Sequence, residues 1–423
     1  MTLLVETPPG YEPEREYILG VVLGDWLGLE WQRRTADRRD VRVALAEDPD
    51  GAAVIVPDIL FATPPDDWLT GISLPRAGTL YDGDVFGSAF FMLTRYEEIA
   101  IPARDEYGRF PAAASVTRDL LARPVVDEQV DLLWESLRRT WPRLRRRPRA
   151  YEVVLTHDVD DPLATLQHAP RDVVRQLGGD LVRRRDPRLA ARRVRSLLGD
   201  PDRDPNNTFD FLMDVSERHG LRSAFYFLAH RDERPRDSAY LFEHAWVRSL
   251  IGRIAQRGHE VGIHPSLTTY RDAERTREEL ERLRLVADAE GVRQDEWGGR
   301  QHYLRWTNPD TWRNWEAAGL AYDCTLAYSD AVGFRTGTCH PYRVYDLRER
   351  RVLRLREEPF QVMDVTLLSA MGLSLGAARE ATLAIAAQCR KHRGRLGILW
   401  HNNTLLRSAR EQRWYEDLVA AVA

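Results

Sequence analysis

From Tyr151 onward, short unbroken apolar runs alternate with longer stretches whose apolar residues recur at helical spacing. The runs "YEVVLTHD", "RSAFYFLA", "HEVGIH" and "RLGILWH" have the length and continuity of buried strands. Between and beside them, "NTFDFLMDVSERHG", "FEHAWVRSLIGRIAQRG", "YRDAERTREELERLRLVADAEG" and "PDTWRNWEAAG" predict helices, and each ends in the glycine that most easily takes a left-handed cap. Alternation of this kind over about 270 residues predicts an α/β fold of parallel strands wrapped by helices, as an open sheet or a barrel.

The first part of the chain reads differently. "EYILGVVLGDWLGLEW" and "DVFGSAFFMLTRYEEI" carry apolar residues at mixed helical spacings, and "GAAVIVPDILFA" predicts a short strand and turn. A helix-like "VDEQVDLLWESLRRTW" then runs into "PRLRRRPRA", whose prolines and arginines make a connector. The expected organisation is a smaller α/β or α+β domain over 1–141, a linker over 142–150 and a second domain over 151–423. After the first strand of that domain, "RDVVRQLGGDLVRRRDPRLAARRVRSLLGD" inserts two arginine-rich helical segments at about 163–205. They read either as a solvated helical face or as a lid that meets an anionic part of a substrate, such as a nucleotide or lipid phosphate.

Composition narrows the class. At 423 residues, 43% hydrophobic and 30% charged, the chain has the make-up of a soluble globular protein with room for two cores. A net charge of -4 points to no polyanionic partner, so no nucleic acid is expected. The start, "MTLLVETPPGYEPERE", predicts neither a secretory signal nor an anchor, and no apolar run approaches the ~20 residues of a membrane helix, so no membrane insertion is expected. Cys324, Cys339 and Cys389 are too few and scattered for a disulfide framework or a cysteine-based zinc site. The expected compartment is the reducing cytoplasm.

Candidate chemistry sits where the strands end. In "VVLTHDVDDP", Asp158 and Asp160 share one face of the strand while His157 and Asp161 lie on the other. Two carboxylates so close are costly unless a cation or a shared proton relieves them, which suggests metal binding or acid/base work. The plainer reading is a turn made by Asp160 and Asp161 before Pro162. Further along, "GHEVGIHPS" ends a strand at His264, "GGRQHYLRW" offers Arg300 and His302 on one face if extended, and "RLGILWHNN" ends at His401. Polar groups at several strand ends are where barrel and open-sheet proteins assemble active sites.

In that order these motifs resemble the NodB-homology polysaccharide deacetylases. The match runs from "THDVDD" through "SAFYF", "GHEVGIH" and "GGRQHYLRW" to "ILWH". The resemblance implies a distorted (β/α) barrel and a metal-dependent hydrolase of acetyl groups on sugars. "HDVDDP", "RQHYLRW" and "GFRTGTCHPY" look most like a WbmS-like branch associated with surface-polysaccharide loci. The first part of the chain, with "DEYGRFP" and "RPVVDEQVDLLW", is similar to a domain of unknown function that precedes such hydrolases.

Carried over residue by residue, the resemblance makes Asp158 the general base, Asp160 and His264 metal ligands, Arg300 the partner of the base and His401 the acid. The alternative pairing takes Asp160 as base and Asp161 as ligand. Thr268 stands where the family places its second metal histidine, four residues after His264. His302 is the candidate replacement and His157 the runner-up. Tyr303, Arg305 and Trp306 are the candidate substrate contacts, against the plainer reading of such aromatic residues as core. The implied cofactor is a divalent metal, zinc in the first place, with cobalt, manganese or nickel as substitutes. The implied partner is an acetylated sugar, nucleotide sugar or glycan precursor. Two further readings stay open: a non-catalytic glycan or nucleotide-sugar binder, and an amidohydrolase acting on a non-sugar C–N bond.

Overall fold

The computed structural model describes residues 1–62, 68–69, 72–165, 170–229 and 240–423. Among these residues, thirteen strands form two sheets. The first has β1 (Leu3–Thr7) inside, flanked by β2 (Trp31–Thr35) and β3 (Asp40–Leu45), with β4 (Val54–Pro57) beyond β3. β1 pairs parallel with β2 and antiparallel with β3. All five residues of β1 are buried, and Leu3 and Val5 share one core with the helix Val85–Leu93. That helix is apolar nearly all round and buried along its whole length, which is why its sequence shows no polar face. Asp84 caps it by accepting from Gly87 N at 2.7 Å.

The second sheet is built from β5 (Glu152–Val159), β6 (Ser223–Phe227), β7 (Glu260–Ile263), β8 (Gly298–Gly299), β9 (Tyr322–Asp323), β10 (Tyr342–Asp346), β11 (Arg351–Glu357), β12 (Val362–Met363) and β13 (Arg395–Leu399). Its order is β10-β11-β9-β8-β7-β6-β5-β13-β12, parallel throughout except for the β10–β11 hairpin. β11 and β12 lie on opposite flanks of the array yet follow one another in the chain. The array therefore curls into a ring closed by a chain crossing without ladder hydrogen bonds, a distorted (β/α) barrel. Leu304, Ala327, Phe360, Met363 and Leu399 pack together inside it. β7 and β8 approach so closely that a Cβ on Gly299 would lie 1.8 Å from the Ile263 carbonyl oxygen, so only glycine fits there.

The predicted helices are present: Phe209–Arg218, Ala245–Gln256, Ala273–Ala289 and Asp310–Ala318. The arginine-rich segment forms two antiparallel pieces, Pro170–Arg183 and Pro187–Leu197; residues 166–169 of the expected insertion lie outside the described residues. The two sheets share one continuous core. Tyr17 and Phe90 from the first part pack on Tyr345 from the second, with ring centroids 4.9 and 5.4 Å away. Beside them Arg95, Glu97, Glu98 and Arg335 form a fully buried ionic cluster, with Arg335 donating to Glu98 Oε2 at 2.7 Å.

Candidate active site

The carboxyl ends of β5, β7, β8 and β13 bring Asp158, Asp160, His264, Arg300, His302 and His401 together. Asp158 is the penultimate residue of β5, and Asp160 stands just past the strand's end. Arg300, one residue beyond β8, is wholly buried and spends its guanidinium on three acceptors: Asp158 Oδ1 at 2.7 Å, Thr156 Oγ1 at 3.0 Å and the Cys324 carbonyl at 2.9 Å. Phe360 supports the guanidinium from 4.2 Å. An arginine fixed in this way holds Asp158 in one orientation by a charge-assisted contact.

His264 follows β7 directly, and its Nδ1 lies 2.6 Å from the Arg300 carbonyl oxygen. A carbonyl only accepts, so Nδ1 carries the proton and Nε2 of a neutral ring presents a lone pair. That Nε2 lies 3.2 Å from Asp160 Oδ1 and 3.8 Å from Asp158 Oδ2. His302 Nε2 lies 3.7 Å from the same Asp160 Oδ1. Asp160 is 32% exposed as a side chain, yet its Oδ1 is out of contact with solvent and accepts no hydrogen bond of good geometry among the described residues. One oxygen and two imidazole nitrogens thus converge within 4.8 Å of one another. The donor set is one that divalent zinc takes. An orphaned carboxylate oxygen between two imidazole nitrogens is a place that a cation relieves.

Charge follows geometry. Burial alone raises the Asp160 pKa, but the His302, His264 and His401 rings override it and hold the carboxyl well below the usual range. His264 is pulled down by burial and up by Asp158 and Asp160, and ends above the ordinary imidazole value. His401 has its Nδ1 2.7 Å from Asp364 Oδ1, while its backbone N–H donates to Asp364 Oδ2 at 2.8 Å. Burial opposes its charge, Asp364 outweighs burial, and the ring is pushed up to about 10. His401 Nε2 lies 3.7 Å from Asp160 Oδ2.

Several expectations are corrected. Arg300 and His302 do not lie along one strand face, because β8 is only two residues long and His302 opens a 3-10 turn. That turn is strained: Tyr303 and Leu304 take φ of 59° and 55° in succession. Gln301 secures it by donating from Nε2 to the Pro265 and Ser266 carbonyls and Thr269 Oγ1. His157 is no ligand. Its Nδ1 bonds the Trp400 carbonyl at 2.7 Å, it packs on Phe225, and burial lowers its pKa to about 4. Trp306 is 2% exposed, packed on Trp312 in the core, and presents no face to a sugar. Arg305 donates to the Leu267 carbonyl and lies over Tyr270, Thr268 accepts from Arg275, and Asp161 accepts from Asn206 at 3.0 Å. All three brace loops around the site.

Two contributors escape a reading of long apolar runs. Asp364 orients His401, and its only herald is the two-residue strand "VM" before it. Tyr107, from the first part of the chain, stacks on Tyr303 with centroids 4.9 Å apart, and Tyr303 in turn contacts the His302 ring. Arg109 donates to the Tyr303 carbonyl at 3.2 Å. The first part therefore supplies one wall of the site. A second cluster, Asp127, Cys339 and His340, is different in kind: Thr338 Oγ1, Cys339 N and Cys339 Sγ already occupy the Asp127 oxygens.

Residues 3–142 match a family described as a family of unknown function, DUF7033. No curated protein matches the chain. Solved structures with a similar course include a Mycobacterium smegmatis protein described as a polysaccharide deacetylase, 17% identical over 65% of this chain and 85% of that one, with TM-score 0.42. A Pseudomonas aeruginosa PAO1 protein so described is 14% identical over 65% and 87%, with TM-score 0.38. A CE4 family pseudoenzyme from Bacillus anthracis is 9% identical over 65% and 62%, with TM-score 0.34.

Proposed function

We propose that this chain is a metal-dependent hydrolase that removes an acetyl group from an N-acetylated sugar, nucleotide sugar or glycan precursor of surface polysaccharide. The observation that carries the reading is the orphaned Asp160 Oδ1 between His264 and His302, with an arginine-held carboxylate on one side and a carboxylate-held histidine on the other. A divalent ion, zinc or else cobalt, manganese or nickel, held by Asp160, His264 and His302 would polarise an acetyl carbonyl and acidify water.

The chain's own groups do the rest. Arg300 engages Asp158 Oδ1 and leaves Oδ2 to take the proton of the attacking water. His401, kept protonated by Asp364, donates from Nε2 to the departing amine, a poor leaving group without that proton. The products are a free amine and acetate. Tyr303, stacked on Tyr107, offers an aromatic face beside His302. Thr268 in place of a second histidine favours a second reading, a sugar-binding protein that does not hydrolyse.

Acetate release from a panel of N-acetylated nucleotide sugars and glycan precursors, with metal content measured on the same preparations, tests both. The enzyme reading expects stoichiometric metal and acetate release, with Asp158→Asn keeping the metal and losing most turnover. Metal-free wild type that still binds sugar would favour the second reading.

A further inference from the structure

The arginine-rich pair of helices leaves much of its apolar surface outside. Its inward side buries Val173, Leu189 and Ala190 beside an ion pair: Asp180 is fully buried, Arg193 is 3% exposed, and they pair at 2.9 Å, with Arg184 also on Asp180 at 2.8 Å. Its outward side mixes apolar residues with arginines. Val174, Leu181 and Val182 on the first piece are 68%, 52% and 79% exposed, and Val194, Leu197 and Leu198 on the second are 41%, 46% and 82% exposed. These six are among fifteen large exposed apolar residues in all the described chain, yet they fall within one short segment. Leu181 and Val182 adjoin in the π-helical turn that ends the first piece, and Val194 and Leu197 lie three apart on one face of the second helix with Leu198 at its C-cap. Around them Arg183, Arg185, Arg188 and Arg195 are exposed, and none makes an ion pair among the described residues.

We propose that this hairpin docks the protein on an anionic lipid bilayer surface. Exposed apolar residues rimmed by arginines that make no ion pair among the described residues match the boundary between acyl chains and anionic headgroups. A second copy fits poorly, since it would bring the same arginines against one another. Among the described residues no helix is long and apolar enough to cross a membrane, so the attachment is peripheral and weakened by salt.

The base of the hairpin is tied to the loops that carry the candidate site. Ser196 donates to Asp204, which accepts from Ala164; Asn206 holds Asp161, the neighbour of Asp160; and Asn402, next to His401, donates to the Asp161 carbonyl at 3.1 Å. Docking thus presents that end of the barrel to the bilayer. The inference does not depend on which reaction the site performs.

Co-sedimentation of the full chain with phosphatidylcholine vesicles, with and without phosphatidylglycerol, tests it. Expected is binding to the phosphatidylglycerol-containing vesicles that falls with salt, and little binding to phosphatidylcholine alone. The double variant Val182→Asp with Leu198→Asp should lose about tenfold in partitioning. Arg183→Gln with Arg185→Gln should lose less and flatten the salt dependence. Leu285→Asp, at a 74% exposed apolar position on another helix, should bind as wild type does. Circular dichroism checks that every variant is folded. Wild type that ignores anionic vesicles, or a Val182→Asp, Leu198→Asp protein that binds them equally well, overturns the proposal. So does a wild-type dimer that Leu198→Asp dissociates, because a second copy then covers the face.

Discussion

Two carboxylate clusters in this protein are treated in opposite ways. In the cluster joining the two sheets, every oxygen of Glu97 and Glu98 has a partner: Ser115, the Val116 N–H, Arg95 and Arg335 between them leave none over. In the candidate site, Asp160 Oδ1 is left without a hydrogen bond among the described residues while two imidazole nitrogens stand beside it. A saturated cluster holds the fold together, and an unsaturated one at strand ends is open to a ligand. Asp323 and Glu357 are a third case. Glu357 accepts from the Trp312 indole N–H and Asp323 from the Thr325 N–H, and burial above all pushes Asp323 up to about 7 and Glu357 well above its ordinary value. There a proton replaces the cation.

The largest test of the comparison is to unbalance the saturated cluster. Arg335→Ala leaves Glu98 buried with one cation fewer and should cost about 3–5 kcal/mol in urea denaturation, because an uncompensated buried charge is expensive.

The second test adds what the other cluster lacks. Zinc at about 100 times its dissociation constant should stabilise wild type by about 2.7 kcal/mol, read as a rise in Tm. Asp160→Asn, His264→Ala and His302→Ala should each abolish that rise. A full rise in His302→Ala would remove His302 from the ligand set.

Third, Asp323→Asn should separate protons from cations. A carboxyl whose folded pKa is raised is fully tolerated below its unfolded value near 4, and stability is lost as pH climbs from there through about 7. The variant should therefore melt above wild type at pH 8, with the gap shrinking toward pH 4. An equal gap at both pH values would mean that packing, not ionisation, is responsible. The smallest effect belongs to Tyr107→Ala. It removes only the outer ring of the stack beside His302, and should raise KM severalfold with kcat nearly unchanged.

What the sequence discloses depends on segment length. β5, β6, β7 and β13 are continuous apolar runs and stand out, as do the polar residues that end them. β8, β9 and β12 have two residues each, too few for any periodicity to register, so the turn carrying His302 reads as strand and Asp364 goes unmarked. "RVLRLRE" does alternate, with its buried residues mainly at every second position, and that is the signal for β11 that a search for unbroken runs passes over. Trp306 shows the reverse hazard: proximity to a motif says nothing about which way a ring turns, and here it turns inward. The Tyr107 contribution is illegible for a deeper reason. No local pattern announces that a loop will cross nearly two hundred residues of sequence to stack on another chain segment.

That stack limits how the chain can be taken apart. Tyr107 leans on Tyr303, Arg95 and Glu98 hold Arg335, and Tyr17 and Phe90 pack on Tyr345. A fragment cut at the arginine-rich connector keeps all the candidate ligands but loses a wall, a charge partner and a patch of core at once. The amino-terminal part is thus no detachable accessory: transplanted barrels of this kind would have to bring their own neighbour with them.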